Sequence, residues 1–169
     1  MPVEEKPLYP FKLCQQGARL HGQVVWADLP DVASVLLSDH GAVTYELVCD
    51  HDEEEVPRVC LHVSAELPLL CQRCLQPLVW PVDCVTLLSP VRTQAAQQQL
   101  SVSYEPLQVS ETGAVRLTDL LTEELWLALP QLPKHDTACV VQTDYPATMG
   151  IASEKPGPFA ALCKLRLQP

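Results

Sequence analysis

Residues 59–69, which read VCLHVSAELPL, alternate strictly with a period of two, and this pattern decides the fold of the 169-residue chain. Successive side chains of a β-strand point to opposite faces of a sheet, so the pattern predicts a strand with one buried face. The side chains expected on the buried face are Val59, Leu61, Val63, Ala65, Leu67 and Leu69, and those on the other are Arg58, Cys60, His62, Ser64 and Glu66. This strand leads directly into the sequence Cys71-Gln72-Arg73-Cys74.

Further strands are predicted on both sides of this stretch. Residues 43–49 alternate in the same way, and residues 78–88 are expected to continue as a third strand. Pro81 within that strand indicates a sheet edge or a bulge, because proline lacks the N–H group that a central strand needs. The three strands should form a meander with the Cys-x-x-Cys sequence at a hairpin-like tip. Shorter strands are predicted at residues 19–26 and 104–109.

Two helices are expected to cover one face of the sheet. Residues 28–38 carry a capping Asp28 and Pro30 in the first turn, and residues 117–129 carry an apolar stripe that ends at Pro130. Glu123 and Glu124 are adjacent and therefore diverge around the second helix, which predicts a solvated face. The fold class predicted is α+β: an antiparallel meander packed with two helices, plus a long irregular C-terminal segment.

The length and the apolar content of 47% predict one domain, spanning residues 1–169, with a substantial core. Within it, residues 19–92 form the strand-rich part with the Cys-x-x-Cys hairpin, and residues 93–103 a polar linker or short solvated helix. Residues 104–130 supply a strand and a helix, and residues 131–169 a proline-rich irregular tail. No apolar run is long enough to span a membrane, and residues 1–6 do not resemble a secretory signal, so a cytoplasmic protein is expected.

Cys71 and Cys74 are three positions apart, as in many sites that bind a soft metal ion. His135 and Cys139 provide a second pair in a proline-flanked loop, and zinc prefers four such ligands in a tetrahedron. The sequence therefore predicts a structural zinc ion held by these four residues, with Cys84 as the substitute if Cys139 is not a ligand. The alternative is an ordinary hairpin turn with two free thiols. The remaining cysteines, Cys14, Cys49, Cys60, Cys84 and Cys163, are interpreted as small buried hydrophobic side chains.

The formal net charge of −10 bears on the partner. Affinity for nucleic acid comes largely from Lys and Arg side chains that neutralise phosphates, so an acidic chain is poorly equipped to hold RNA alone. A protein partner, itself basic, is therefore expected. Direct RNA or partner contact is predicted only at local cations, which are Arg73, Lys155, Lys164 and Arg166.

Several stretches resemble the YceD family of large ribosomal RNA subunit accumulation proteins. They are CQRCLQP at residues 71–77, SPV at 89–91, YEPLQV at 104–109, residues 119–130 followed by QLPKHD at 131–136, and KPGPFAAL at 155–162. The resemblance covers the chain from about residue 60 to its end. It implies a role in the synthesis, processing or stability of large-subunit 23S ribosomal RNA, with a ribosomal protein or assembly factor of the large subunit as partner. It implies no catalytic mechanism, and the oligomeric state is left open.

Two enzymatic functions are the alternatives. An RNA-processing nuclease usually needs convergent carboxylates or a histidine pair, whereas the histidines here are dispersed; His51 and Asp52 are the residues to test. A thiol redox protein would place Cys71 and Cys74 at the start of a helix that follows a strand. Pro77 and the strand-like sequence after it favour a turn between strands instead.

Overall fold

The structure, a computed structural model, describes residues 7–139, which fold around a five-stranded sheet. Strands β1 to β4 form an antiparallel meander, and β5 pairs with β4 in the parallel direction. Their spatial order is the order of the sequence: β1 Arg19–Val25, β2 Ala42–His51, β3 Pro57–Leu70, β4 Pro77–Val91 and β5 Glu105–Gln108. The predicted α+β class and its meander are confirmed.

The helices of residues 7–139 are α1 Pro10–Gln16, α2 Pro30–Ala33, α3 Gln94–Gln98 and α4 Leu117–Ala128. The helix predicted at residues 28–38 is shorter than expected, since a 3-10 turn at Trp26–Asp28 precedes the four residues of α2. Helix α1 was not predicted, because seven residues are too few for a clear helical period. Helix α4 ends as predicted, with Leu129 extended before Pro130. None of these helices is long and apolar enough to cross a membrane.

The core lies between the inner face of the sheet and the helices. Every second residue of β3 from Val59 to Leu69 is buried, as the alternation predicts, while Ser64 and Glu66 are exposed on the opposite face. Leu121 and Leu125 of α4 and Val32 of α2 pack into the same core cluster. Burial of one such leucine stabilises the fold by about 2 kcal/mol.

Pro81 lies at an edge of the sheet, which is one of the two positions that its lack of an N–H group predicts. It pairs with Glu66 of β3 on one side. On the other side of β4, β5 pairs only with residues 88–91, so no strand of the described residues reaches Pro81. A missing N–H is tolerated at such a position because no neighbouring strand requires it.

Two predictions about side-chain burial need correction. Glu123 is exposed as expected, but Glu124 is only 6% exposed. Its Oε2 accepts a hydrogen bond of 2.7 Å from the Thr86 hydroxyl of β4, so α4 is rotated to face this carboxylate toward the sheet. Among the cysteines, Cys14 and Cys49 are buried, whereas Cys60 and Cys84 are only half-buried and Cys163 lies outside the described residues.

Replacing Glu124 by glutamine is expected to raise the free energy of unfolding by about 1 kcal/mol at pH 7, because a buried charge with few partners is removed. Burial raises the pKa of Glu124, and the nearby carboxylates of Glu105 and Glu123 add to the effect. The folded state therefore binds this proton more tightly than the unfolded state, and the parent loses stability as pH rises through the folded pKa. Urea unfolding between pH 4 and pH 8 should show this loss in the parent and not in the variant. A similar gain from Glu123→Gln, an exposed control, would contradict the argument.

Candidate metal centre

The tip of the β3–β4 hairpin presents Cys71 and Cys74 to one side. The Cys71 amide donates to the Gln76 carbonyl and the Leu75 amide donates to the Cys71 carbonyl, both at 2.9 Å. Leu75 has a φ of +56°, a left-handed conformation that closes the turn. The predicted turn between strands is therefore present at this position.

The segment after α4 returns to this tip. Helix α4 ends before Pro130, and the Gln72 amide then donates to the Pro133 carbonyl at 2.8 Å. This backbone hydrogen bond fixes the segment beside the hairpin. It places His135 and Cys139 next to the Cys-x-x-Cys turn although about sixty residues separate the two pairs in sequence.

One ligand atom from each of Cys71, Cys74, His135 and Cys139 lies within 4.8 Å of the others. The Cys71 and Cys139 Sγ atoms are 3.8 Å apart, and Cys74 Sγ lies 3.4 Å from His135 Nδ1. With Zn–S bonds of about 2.3 Å and Zn–N bonds of about 2.0 Å, a tetrahedral ion separates two sulfurs by about 3.8 Å and a sulfur from a nitrogen by about 3.5 Å. Both of these distances match a tetrahedral zinc site, and the four predicted side chains converge on one place. That they hold the ion stays a prediction.

The ring of His135 is oriented by a backbone contact. Its Nε2 lies 3.1 Å from the Pro77 carbonyl oxygen, which can only accept a hydrogen bond. In the tautomer that donates from Nε2, the lone pair of Nδ1 faces the sulfur of Cys74. Histidines that bind metals are usually held by such a second hydrogen bond.

Arg73 connects the hairpin tip to the returning segment. Its Nε donates to Cys139 Sγ at 2.8 Å, and one terminal nitrogen donates to the carbonyls of His135 at 3.1 Å and Thr137 at 2.6 Å. In this geometry Arg73 can stabilise negative charge on the Cys139 sulfur, while its carbonyl contacts hold the returning segment. The guanidinium faces the cluster, and its predicted contact with RNA or a partner stays untested. Lys155, Lys164 and Arg166 lie outside the described residues.

The thiols differ in how readily they ionise. Burial opposes ionisation of Cys71, but the backbone N–H groups of Cys74 and Arg73 outweigh it and lower the pKa of Cys71 to about 5. Burial also opposes ionisation of Cys139, yet hydrogen bonds from Arg73 and His135 lower its pKa. Burial and the neighbouring sulfurs raise the pKa of Cys74. Cys71 is therefore a thiolate at neutral pH, the form in which cysteine binds metals.

The acidic loop at residues 50–55 has a different arrangement. Asp50 forms an ion pair of 2.7 Å with Arg58, and Asp52 accepts hydrogen bonds from the Tyr104 hydroxyl and from two backbone N–H groups. The Tyr104 contact is the main reason that the pKa of Asp52 is lowered. The four side chains of Cys71, Cys74, His135 and Cys139 are called the Cys71 cluster. Within residues 7–139, only this cluster brings three or more His, Cys, Asp or Glu side chains close enough to share an ion. Asp50 and Asp52 are therefore engaged in contacts that stabilise the loop.

Comparison with known proteins identifies a matching family and similar relatives. A family model described as "Large ribosomal RNA subunit accumulation protein YceD" matches residues 59–166, a range that includes the whole Cys71 cluster. A protein of the same name from Haemophilus influenzae (strain ATCC 51907 / DSM 11121 / KW20 / Rd) is 32% identical over 99 residues. That alignment covers 56% of this chain and 57% of the relative, so the chain spans little more than half of the relative's length. No solved structure matches the chain.

Proposed function

The chain belongs to the YceD family, and from this premise we propose that it is a non-enzymatic factor for the accumulation of large-subunit ribosomal RNA. It supports the synthesis, processing or stability of 23S ribosomal RNA. It does so mainly by contacting a ribosomal protein or assembly factor of the large subunit. The net charge of −10 supports this form of the proposal, because naked RNA is repelled by an acidic surface.

A structural zinc ion bound by Cys71, Cys74, His135 and Cys139 belongs to the same proposal. The convergence of these four ligand atoms is the observation that carries it. Zinc with four protein ligands has no open position for water, so the ion would join two segments and would not catalyse hydrolysis. The hairpin tip and the segment at residues 131–139 would then form one rigid unit.

The surface around this unit is suited to a protein contact. Leu75, Val79 and Leu132 are 60–64% exposed, although leucine and valine are normally buried. Leu75 belongs to the Cys-x-x-Cys turn, Leu132 lies in the segment that carries His135, and Val79 lies in β4 close to Pro77. Exposed apolar side chains that share one region commonly mark a protein interface.

In cells that lack the chain, large-subunit ribosomal RNA is expected to fall relative to small-subunit RNA. A plasmid copy should restore the ratio. A copy with Cys71→Ser and Cys74→Ser should not, because the rigid unit of the hairpin tip and residues 131–139 would lose its metal. A Cys60→Ser copy is the matched control and should restore the ratio. RNA quantified from gradient-separated subunits measures the outcome. An unchanged ratio on deletion would contradict the role, and full rescue by the double variant would contradict the part assigned to the metal centre.

A second candidate, a thiol redox protein, is favoured by the backbone N–H groups of Cys74 and Arg73, which face the sulfur of Cys71 and lower its pKa. Against it, the pair lies in a turn between β3 and β4 and not at the start of a helix. The two functions differ in metal content. A protein purified without chelator that carries no zinc and catalyses thiol–disulfide exchange would support the redox function instead.

A further inference from the structure

A groove of about 590 Å³ runs between β5 and α4. It begins near Leu88 of β4, whereas the candidate metal centre lies beyond the other end of that strand, next to Pro77. Eleven residues of extended chain span about 36 Å, so the groove is a separate surface. Its floor is apolar: Leu88, Leu107 and Leu120 are buried beneath it, and the exposed Leu127 stands at its rim.

Carboxylates line both walls of this groove. Glu105 comes from β5, and Glu123 and Glu124 come from α4. Arg116 also lines the groove, but its guanidinium is paired with Asp119 at 2.8 Å. Burial is the main reason that the pKa of Glu124 is raised, and the charges of Glu105 and Glu123 raise it further. Negative charge from the strand and from the helix therefore acts at one place, where a cation would be favoured.

Strand β5 also offers backbone groups to a ligand. It is the last strand of the sheet, and β4 is its one strand partner within residues 7–139. An extended peptide can pair with such an edge through main-chain hydrogen bonds, while its alternate side chains enter pockets beside the strand. An edge strand of only four residues, with Pro106 within it, limits such pairing to a short segment.

We propose that this groove binds a short, extended, basic segment of a partner protein. An apolar side chain of the segment packs on the leucine floor, and a Lys or Arg side chain lies between the Glu105 and Glu123 carboxylates. A second copy of this chain is disfavoured because both copies would carry a net charge of −10, and RNA is disfavoured for the same reason. The inference does not depend on the metal centre or on the role in RNA accumulation.

The test uses the full chain and a fluorescein-labelled octapeptide that alternates Lys with Val and Leu. Fluorescence anisotropy should show saturable binding to the parent. The double variant Glu105→Lys/Glu123→Lys should bind about tenfold more weakly or worse, since two attractive charges become repulsive. Glu53→Lys/Glu54→Lys is the matched control, because it makes the same change in net charge at exposed positions of the acidic loop. It should change the affinity by less than about threefold.

Three results would overturn the proposal. The first is the absence of saturable binding below about 1 mM peptide, a limit that corresponds to only about 4 kcal/mol of binding free energy. The second is an equal loss of affinity in both double variants, which would indicate attraction to net charge alone. The third is a gain of about tenfold or more in a Lys155→Ala/Lys164→Ala/Arg166→Ala variant, which would assign the groove to this chain's own basic residues and not to a partner.

Discussion

Replacing Cys71 by serine is expected to reduce bound zinc from about one ion per chain to less than about a tenth of an ion, because a structural site needs all four ligands. The free energy of unfolding should fall by about 3–5 kcal/mol, since the free energy of zinc binding contributes directly to folding. For a domain of this size the thermal midpoint should drop by about 10 °C or more. Elemental analysis and thermal unfolding followed by circular dichroism measure the two effects.

The size of this effect follows from the separation of the two ligand pairs. A cross-link between distant segments limits the freedom of the unfolded chain, and it does so more strongly as the enclosed loop becomes longer. Here the ion would tie residues 71–74 to residues 135–139. In the folded chain, the joined segments are otherwise held by the Gln72–Pro133 hydrogen bond, the contacts of Arg73 and the contact of His135 with the Pro77 carbonyl. Loss of the ion should therefore loosen residues 131–139 more than the sheet.

Two controls separate the metal from the side chain. Cys60→Ser alters a half-buried thiol on the face of β3 that points away from the core. It should leave both the zinc content and the stability almost unchanged. A strong chelator should lower the stability of the parent to near that of Cys71→Ser and should change the variant little. A parent protein that carries no zinc when purified without chelator would refute the metal site. A Cys71→Ser protein that keeps its zinc would exclude Cys71 from the ligand set.

The meander and the identity of the four candidate ligands could be predicted because both follow from local patterns. The alternation at residues 59–69 requires one buried face whatever the rest of the fold does, and two cysteines three positions apart have a spacing typical of metal sites. His135 and Cys139 were found by residue type and by proline-framed spacing. The fact that they meet Cys71 depends on the path of the chain after α4, which only the structure shows.

Other features depend on contacts that no local pattern encodes. The burial of Glu124 is set by the rotation of α4 against Thr86 of β4, and a helix with leucines at several angles allows more than one rotation. The role of Arg73 depends on which carbonyls the segment at residues 131–139 presents to it. The groove beside β5 exists because a short parallel strand ends the sheet, and parallel pairing leaves no distinct signal in four residues.

The tightest contact at the turn before β2 also depends on the packing of the fold and not on a local pattern. Gly41 has a φ of +129°, a conformation that residues with a Cβ rarely adopt. A Cβ atom on Gly41 would lie 2.5 Å from Nε1 of Trp26, far inside van der Waals contact. Trp26 is only 1% exposed and packs in the core cluster, so its indole ring cannot move aside without displacing its neighbours.

Replacing Gly41 by alanine is therefore expected to lower the free energy of unfolding by about 4 kcal/mol, the sum of backbone strain and overpacking. Gly17→Ala is the matched control. Gly17 follows helix α1 with a φ of +58°, but a Cβ there meets nothing within 4 Å, so only about 1 kcal/mol of strain is expected. Urea unfolding of the two variants measures the difference, which isolates the collision with the indole. Equal losses would mean that Trp26 moves at little cost, and that close packing beside Gly41 does not constrain the turn into β2.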